Sequence, residues 1–258
     1  MLVIGSSSWA CTRSGDASDD RGYPVPLLGR PLPGQGQHRY QGGVRSVRRL
    51  TRAELLEVAY AFHPMRDPGE PSSSSVTVPL ADSPEQRRLR AAQRAGYAQI
   101  DTWQELVEDV HDTLGGRHGG FFVMDDTHPE RDPSYGIFID VVDRSRTSND
   151  MDANDIDSND IDSSLVVQVS YLVPYHTCYQ RQRRVLADGT VEHHPSRDKV
   201  TPALETALRI VERELAERYG YWRLDPELAA TPVPGIYIDG HVGSDPPTLA
   251  EALFGPRR

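Results

Sequence analysis

The chain has 258 residues, 37% of them hydrophobic and 26% charged, and it carries a formal net charge of −10. This acidity argues against a nucleic-acid binder, which needs a basic face to displace the counterions of the phosphates. No apolar run approaches the roughly 18 residues of a membrane-spanning helix, and the N-terminus lacks the long apolar stretch of a signal peptide. We therefore expect a cytoplasmic protein without a membrane or nucleic-acid partner.

The N-terminal part divides into a leader and a helical region. Residues 1–43 show no sustained hydrophobic period and many glycines and prolines, so we predict a disordered leader. Residues 44–116 carry three helix starts, at Thr51, Ser83 and Thr102. Thr51 and Thr102 each precede a glutamate by three residues, the spacing of a capping box, and Ser83 is followed by Pro84, which favours the first helical position.

Residues 117–258 favour strands followed by a helix. Runs rich in β-branched and aromatic residues predict strands over 121–124, 135–142 and 165–179, and Asp188 with Gly189 predicts a hairpin turn. Thr201 and Pro202 open the most regular helical pattern, with Gly220 at its end. The expected fold class is α+β: a small antiparallel sheet of three to four strands covered by helices, with residues 44–258 forming one domain.

An acidic repeat interrupts the predicted strands. Asn149, Asn154 and Asn159 each begin a five-residue unit in which aspartates occupy the second and fourth positions. The segment is too charged to bury itself, so we predict a disordered insertion over residues 145–164. Its spacing resembles the start of a calcium-binding loop but lacks the turn glycine and the final glutamate, so no specific calcium site is expected.

The strand predicted over residues 165–179 and its continuation carry the candidate binding face. Side chains at every second position of a strand point the same way, and five of them here are of the two types that dominate binding hot spots. They are Tyr171, Tyr175, Tyr179, Arg181 and Arg183. The alternative interpretation is a sheet face that packs under a helix at its tyrosine end and meets solvent at its arginine end.

A second candidate site groups histidine, cysteine and aspartate. His176 and Cys178 share one side of the same strand, and His193 lies on the strand that returns from the hairpin. Asp125 and His128 form a similar group in the turn after the first strand, and Asp140 lies on the next strand. Zinc would suit such ligands, but no spacing typical of a zinc site occurs. No phosphate loop or complete dinucleotide fingerprint occurs either, and we predict no cofactor.

The order of several C-terminal segments resembles that of small bacterial α+β proteins of the immunity type. These segments are the strand over 169–179, the long helix, the turn at Tyr219, Gly220 and Tyr221, the stretch 232–236 and the run 248–254. The resemblance covers roughly residues 119–254 and implies a protein that neutralises a partner toxin by binding it.

We therefore expect a non-enzymatic protein-binding module whose partner is another protein, and lean against an enzyme. One alternative is a metal-dependent hydrolase or nuclease that uses the histidine and aspartate residues named above. The other is a viral or phage structural protein in which the leader acts as an assembly arm.

Overall fold

The structure is a computed structural model, and it describes residues 48–65, 83–115, 120–141, 162–186, 188–196, 200–241 and 245–256. The predicted leader and residues 145–161 of the predicted insertion lie outside the described residues. The last three residues of that predicted insertion, 162–164, are instead the start of a strand.

In the described chain, three helices precede five strands, and a long helix, a short strand and two short helices follow. The helices are α1 (Arg52–Phe62), α2 (Pro84–Tyr97), α3 (Ile100–Thr113), α4 (Pro202–Tyr219), α5 (Pro226–Ala229) and α6 (Leu249–Phe254). The strands are β1 (Phe121–Asp125), β2 (Ser134–Val141), β3 (Asp162–Ser170), β4 (Tyr175–Val185), β5 (Val191–Ser196) and β6 (Trp222–Arg223). None of these helices is both long enough and apolar enough to cross a membrane.

The described strands form one mixed sheet of six. Strands β1 to β5 lie side by side in chain order, each antiparallel to the next, and β6 pairs with β4 in parallel. The α+β class is confirmed, but the expected antiparallel sheet of three to four strands is too small. Strand β6 escaped prediction because two residues are too few to establish a period.

The run predicted as one strand over 165–179 is two strands with a tight turn between them. The Ser170 hydroxyl accepts the Leu172 N–H at 3.0 Å, and the Tyr175 N–H donates to the Val173 carbonyl at 2.7 Å. A serine and Pro174 therefore reverse the chain inside a continuous apolar run. The run contains no glycine, asparagine or aspartate, so Ser170 and Pro174 are its turn-forming residues. Pro174 was the available signal, because a proline inside a strand pattern argues against a continuous strand.

Helix starts follow the predicted caps at two of three positions. Thr51 forms a capping box with Glu54, and the Ser83 hydroxyl accepts the N–H of Gln86. The third prediction is wrong, since α3 begins at Ile100 and Thr102 lies inside its first turn. Only two residues separate α2 from α3, so the chain enters α3 without the extended residue that a side-chain cap requires.

One face of the sheet, called here the helix-covered face, packs against α3 and α4. It carries alternate residues of β2 and β3, including Ile137, Ile139 and Val167, which are fully buried. The apolar stripe of α4, from Leu204 to Leu215, meets them from above. The stripe lies where the sequence period placed it, and Gly220 ends the helix in the left-handed conformation at φ 70°.

A second hydrophobic cluster joins the first and the last helices of the described chain. It packs α1 and α2 against α5, α6 and the turn between β3 and β4. The Tyr175 hydroxyl lies at its margin, where it accepts the N–H of Leu50 at 2.8 Å. Segments far apart in sequence thus share one core.

An aromatic junction connects α2 and α3 to the sheet. The Trp103 and Tyr135 rings stack with centroids 4.7 Å apart, and Tyr171 meets Tyr135 edge-on at 4.5 Å. The Tyr135 hydroxyl donates to the Gly96 carbonyl at 2.6 Å. Burial raises the pKa of Tyr135 well above its ordinary value, so this hydroxyl stays a donor over the physiological range.

Replacing Gly96 by alanine tests the junction. The new Cβ would lie 2.6 Å from the Tyr171 ring, so α2 must move away from that ring. We expect the free energy of unfolding to fall by about 1–3 kcal/mol in urea denaturation. Helix propensity alone would raise this free energy by about 1 kcal/mol. A decrease would therefore show that the contact with the Tyr171 ring outweighs helix propensity. Ala91→Gly, at an exposed position of α2, is the control and should lower it by only about 1 kcal/mol.

Candidate functional site

The side of the sheet opposite α3 and α4, called here the second face, carries two rows of side chains that cross from β1 to β4. The strand register aligns each row. The first row contains Met124, Phe138, Val166 and Tyr179, and the second contains Phe122, Asp140, Ser164 and Arg181. Apolar residues thus dominate the first row, and polar residues dominate the second.

The rows are buried at their centre and exposed at the β1 end. Phe138, Val166 and Tyr179 form a buried cluster, and the Arg181 guanidinium lies over the Phe138 ring at 4.8 Å from its centroid. At β1, by contrast, the side chains of Phe122 and Met124 are 48% and 41% exposed. The apolar surface of the second face therefore continues out to solvent at one edge of the sheet.

A polar pocket lies beside the buried cluster and encloses about 70 Å³. At about 10–15 Å³ per water, this space holds a few water molecules or one small polar group. The lining residues come from the loop after β1, the three strands β2 to β4 and the C-terminus. They are Asp126, His128, Asp132, Ser134, Gly136, Val166, Gln168, Tyr179, Arg181 and Pro256.

A glycine lets the loop after β1 lie directly on β2. A Cβ at Gly136 would be 2.6 Å from the Asp126 carbonyl oxygen. The Asp126 N–H donates to the Gly136 carbonyl at 2.9 Å, and the Gly136 N–H donates to the Thr127 hydroxyl at 3.1 Å. These contacts hold Asp126 and His128 at the mouth of the pocket.

The last carbonyls of α6 form the opposite wall. A helix C-terminus leaves carbonyls without intrahelical partners, and here the sheet supplies the donors. The Ser134 hydroxyl donates to the Phe254 carbonyl at 2.7 Å and the Ser170 hydroxyl to the Leu253 carbonyl at 2.7 Å. The Gln168 amide also reaches the Phe254 carbonyl, at 3.4 Å. Sheet side chains thus fix the end of α6 on the second face.

The pocket offers both signs of charge and one free donor. His128 lies 3.5 Å from an Asp126 carboxylate oxygen, so these two groups partly satisfy each other. The Arg181 Nε is buried and has no hydrogen-bond partner among the described residues. A carboxylate or carbonyl of a bound molecule would suit that donor.

The predicted binding residues fall in four environments. Tyr171 belongs to the turn and packs into the aromatic junction, while Tyr175 is buried in the second cluster. Tyr179 and Arg181 line the pocket, and Arg183 is exposed further along β4. The structure therefore brings two of the five together at the candidate site.

The predicted metal residues are spread over both faces. Asp125 faces α3 and accepts the Trp103 indole N–H at 3.1 Å. His128 lies at the pocket, whereas Cys178 packs against the core of the helix-covered face. No group of three histidine, cysteine or acidic side chains that could hold a metal ion occurs within the described ranges.

His176 also lies on the helix-covered face, 3.7 Å from Glu212. The imidazole lowers the pKa of the Glu212 carboxyl. The backbone of His193 pairs with Arg183 in the register, which puts it about 23 Å along the strand from His176 at ~3.3 Å per residue. The structure does not bring these two histidines together.

Sequence reasoning missed the exposed pair at β1. Phe122 and Met124 belong to a run of four apolar residues, which predicts a strand but was not assigned to the binding face. Their spacing of two residues was the available signal, since in a strand it places both side chains on one face. Gln168 and the α6 carbonyls gave no such signal, because only the folded chain brings them to the pocket.

No family model, curated protein or solved structure matches the chain. The geometry of the described residues is therefore the basis for the functional proposal.

Replacing Gly136 by alanine tests how the pocket is held. The Cβ cannot coexist with the Asp126 carbonyl at 2.6 Å, so the loop must lift from β2. We expect the free energy of unfolding to fall by about 1–3 kcal/mol and the imidazole NMR signals of His128 to shift. Thr127→Ser keeps the hydroxyl acceptor and serves as the control. Unmoved His128 signals in a folded Gly136→Ala protein would contradict the described contact.

Proposed function

We propose that the protein is a non-enzymatic protein-binding module whose contact surface is the β1 end of the second face. The observation that carries the proposal is the exposure of Phe122 and Met124 side by side on one strand. Because each side chain is already about half buried, covering the rest of it would stabilise a complex by about 1 kcal/mol. Adjacent exposed apolar side chains with polar neighbours are typical of interaction surfaces.

The neighbouring pocket supplies the polar part of the surface. An interface combines an apolar centre with a few directional polar contacts, and arginine is enriched among the residues that dominate binding energy. Arg181, on β4, belongs to the same row of side chains as Phe122. Its Nε has no hydrogen-bond partner among the described residues. A small polar group of the partner would fit the volume of the pocket.

Binding is supported over hydrolysis by the placement of the reactive residues. The predicted hydrolytic site needs the histidines and aspartates assigned to it to lie within reach of one substrate. His176 and Asp125 lie on the helix-covered face, whereas His128 lies on the second face. The resemblance to immunity-type proteins makes a toxin the first class of partner to test.

Affinity capture with matched variants tests the proposal. The wild-type chain should retain one protein at near-equal stoichiometry from a lysate of its own host. Phe122→Ser combined with Met124→Ser should lower the affinity of that complex at least about tenfold, because each lost contact is worth about 1 kcal/mol or more. Titration calorimetry with the purified partner measures the change.

Tyr97→Ser is the control, because Tyr97 is also exposed but lies on α2. It should leave the affinity unchanged. A folded bait that retains no protein would count against the binding module. Equal affinity of the wild-type chain and the double variant would remove this surface from the proposal.

A further inference from the structure

Strand β1 lies at one end of the described sheet, so one side of its backbone has no neighbouring strand there. In the described sheet β1 has a neighbour only in β2. The Asp126 N–H donates to the Gly136 carbonyl at 2.9 Å, and this pair continues the β1–β2 register. Hydrogen-bonded positions alternate along an antiparallel pair, so Met124 bonds to β2, whereas the N–H and C=O of Val123 point outward.

The strand lacks lysine, proline and a bulge, three of the features that protect a sheet edge. Proteins block edges with lysine, proline or a bulge, which discourage pairing with another chain. The residues of β1 read Phe-Phe-Val-Met-Asp, and its register with β2 runs without a bulge. In the part of the chain that the structure describes, no strand pairs with these outward backbone groups, which leaves them open to an added strand.

Acidic side chains flank this edge on the helix-covered side. Helix α3, which packs on β1, carries five carboxylates and no lysine or arginine. Its Asp109 pairs with Arg218 of α4, which identifies the flank that faces away from the edge. Glu105 lies one helical turn before Asp109 and therefore shares that flank. Asp101 and Glu108, which are seven residues apart, lie together on the side nearer the edge, and both are exposed.

We infer that β1 is a strand-addition edge, and that the partner supplies an extended segment that alternates apolar and basic residues. This inference rests on the proposed function and specifies how the partner is recognised. Backbone groups of the segment would bond to the outward groups of Phe121 and Val123. Its apolar side chains would cover Phe122 and Met124, while its basic side chains would point toward α3.

A second copy of the chain fits this edge less well. Antiparallel pairing of two β1 strands would continue the sheet and place both α3 helices on the same side. The Glu108 flanks would then face each other, and each copy already carries a net charge of −10. Like charges in opposition disfavour such a contact, so a basic segment is the occupant that the charges select.

A pair of synthetic peptides tests the inference on the full chain. One is a fluorescein-labelled heptapeptide that alternates valine and lysine, and the other replaces each lysine by glutamate. We expect the lysine peptide to bind in fluorescence anisotropy and the glutamate peptide to bind at least about tenfold more weakly. No binding of the lysine peptide at millimolar protein, or equal binding of the two, would overturn the inference.

Two variants locate the bound peptide. Val123→Pro removes an outward N–H without removing a bond to β2, and proline is tolerated at edges in this orientation. It should weaken the lysine peptide about fivefold or more. Asp101→Arg combined with Glu108→Arg changes only exposed side chains on the side of α3 nearer the edge and should reverse the peptide preference. An unreversed preference would overturn the inference, even if the proline variant fails to fold.

The outcomes separate this inference from the proposed function. A captured partner whose affinity depends on Phe122 and Met124 but not on the Val123 substitution would retain the binding module and remove strand addition. If both variants change peptide binding as expected but no partner is retained from a lysate, strand addition at β1 is supported. The same result counts against the proposed function.

Discussion

The hydrogen bonds from Ser134 and Ser170 to the last carbonyls of α6 determine how much of the second face the fold covers. They satisfy backbone groups that the helix cannot satisfy internally. They also bind the C-terminus to β2 and β3 at one end of the sheet. Helix α6 has only six residues, so the part of the second face that it covers ends at the pocket. The apolar row beyond it reaches solvent at β1, where Phe122 and Met124 are exposed.

The two faces of the sheet are therefore covered in different ways. On the helix-covered face, α3 and α4 bury alternate residues of the strands and close the core. On the second face, Gly136 brings a polar loop against β2, and Arg181 covers Phe138. This asymmetry leaves one edge strand that has a packed side toward α3, an exposed apolar side and, among the described strands, no neighbour on its outer side.

Local signals in the sequence predicted much of this fold. Thr51, Ser83 and Gly220 mark helix ends that the structure confirms. What failed depends on turn residues hidden in an apolar run or on contacts that are distant in sequence. The reversal at 171–174 uses Ser170 and a proline within an apolar run, and the strand β6 exists only because β4 lies beside it.

The candidate site was less predictable for the same reason. Tyr179 and Arg181 were selected by residue type and do line the pocket. Tyr171 matched the same period-two pattern, but the reversal before β4 moved it to the aromatic junction. A pattern in one strand predicts which side chains share a face. It does not identify the helix that covers that face or the strand that ends the sheet.

Residue-resolved amide hydrogen exchange tests the strand-addition edge most directly. The measurement follows the exchange of Val123 and Met124 with and without the valine–lysine peptide. The account predicts that the Val123 amide gains protection on binding, because its outward N–H acquires a partner, while the Met124 amide, already bonded to β2, changes little. Unchanged exchange at Val123 in a saturated complex would contradict strand addition at β1.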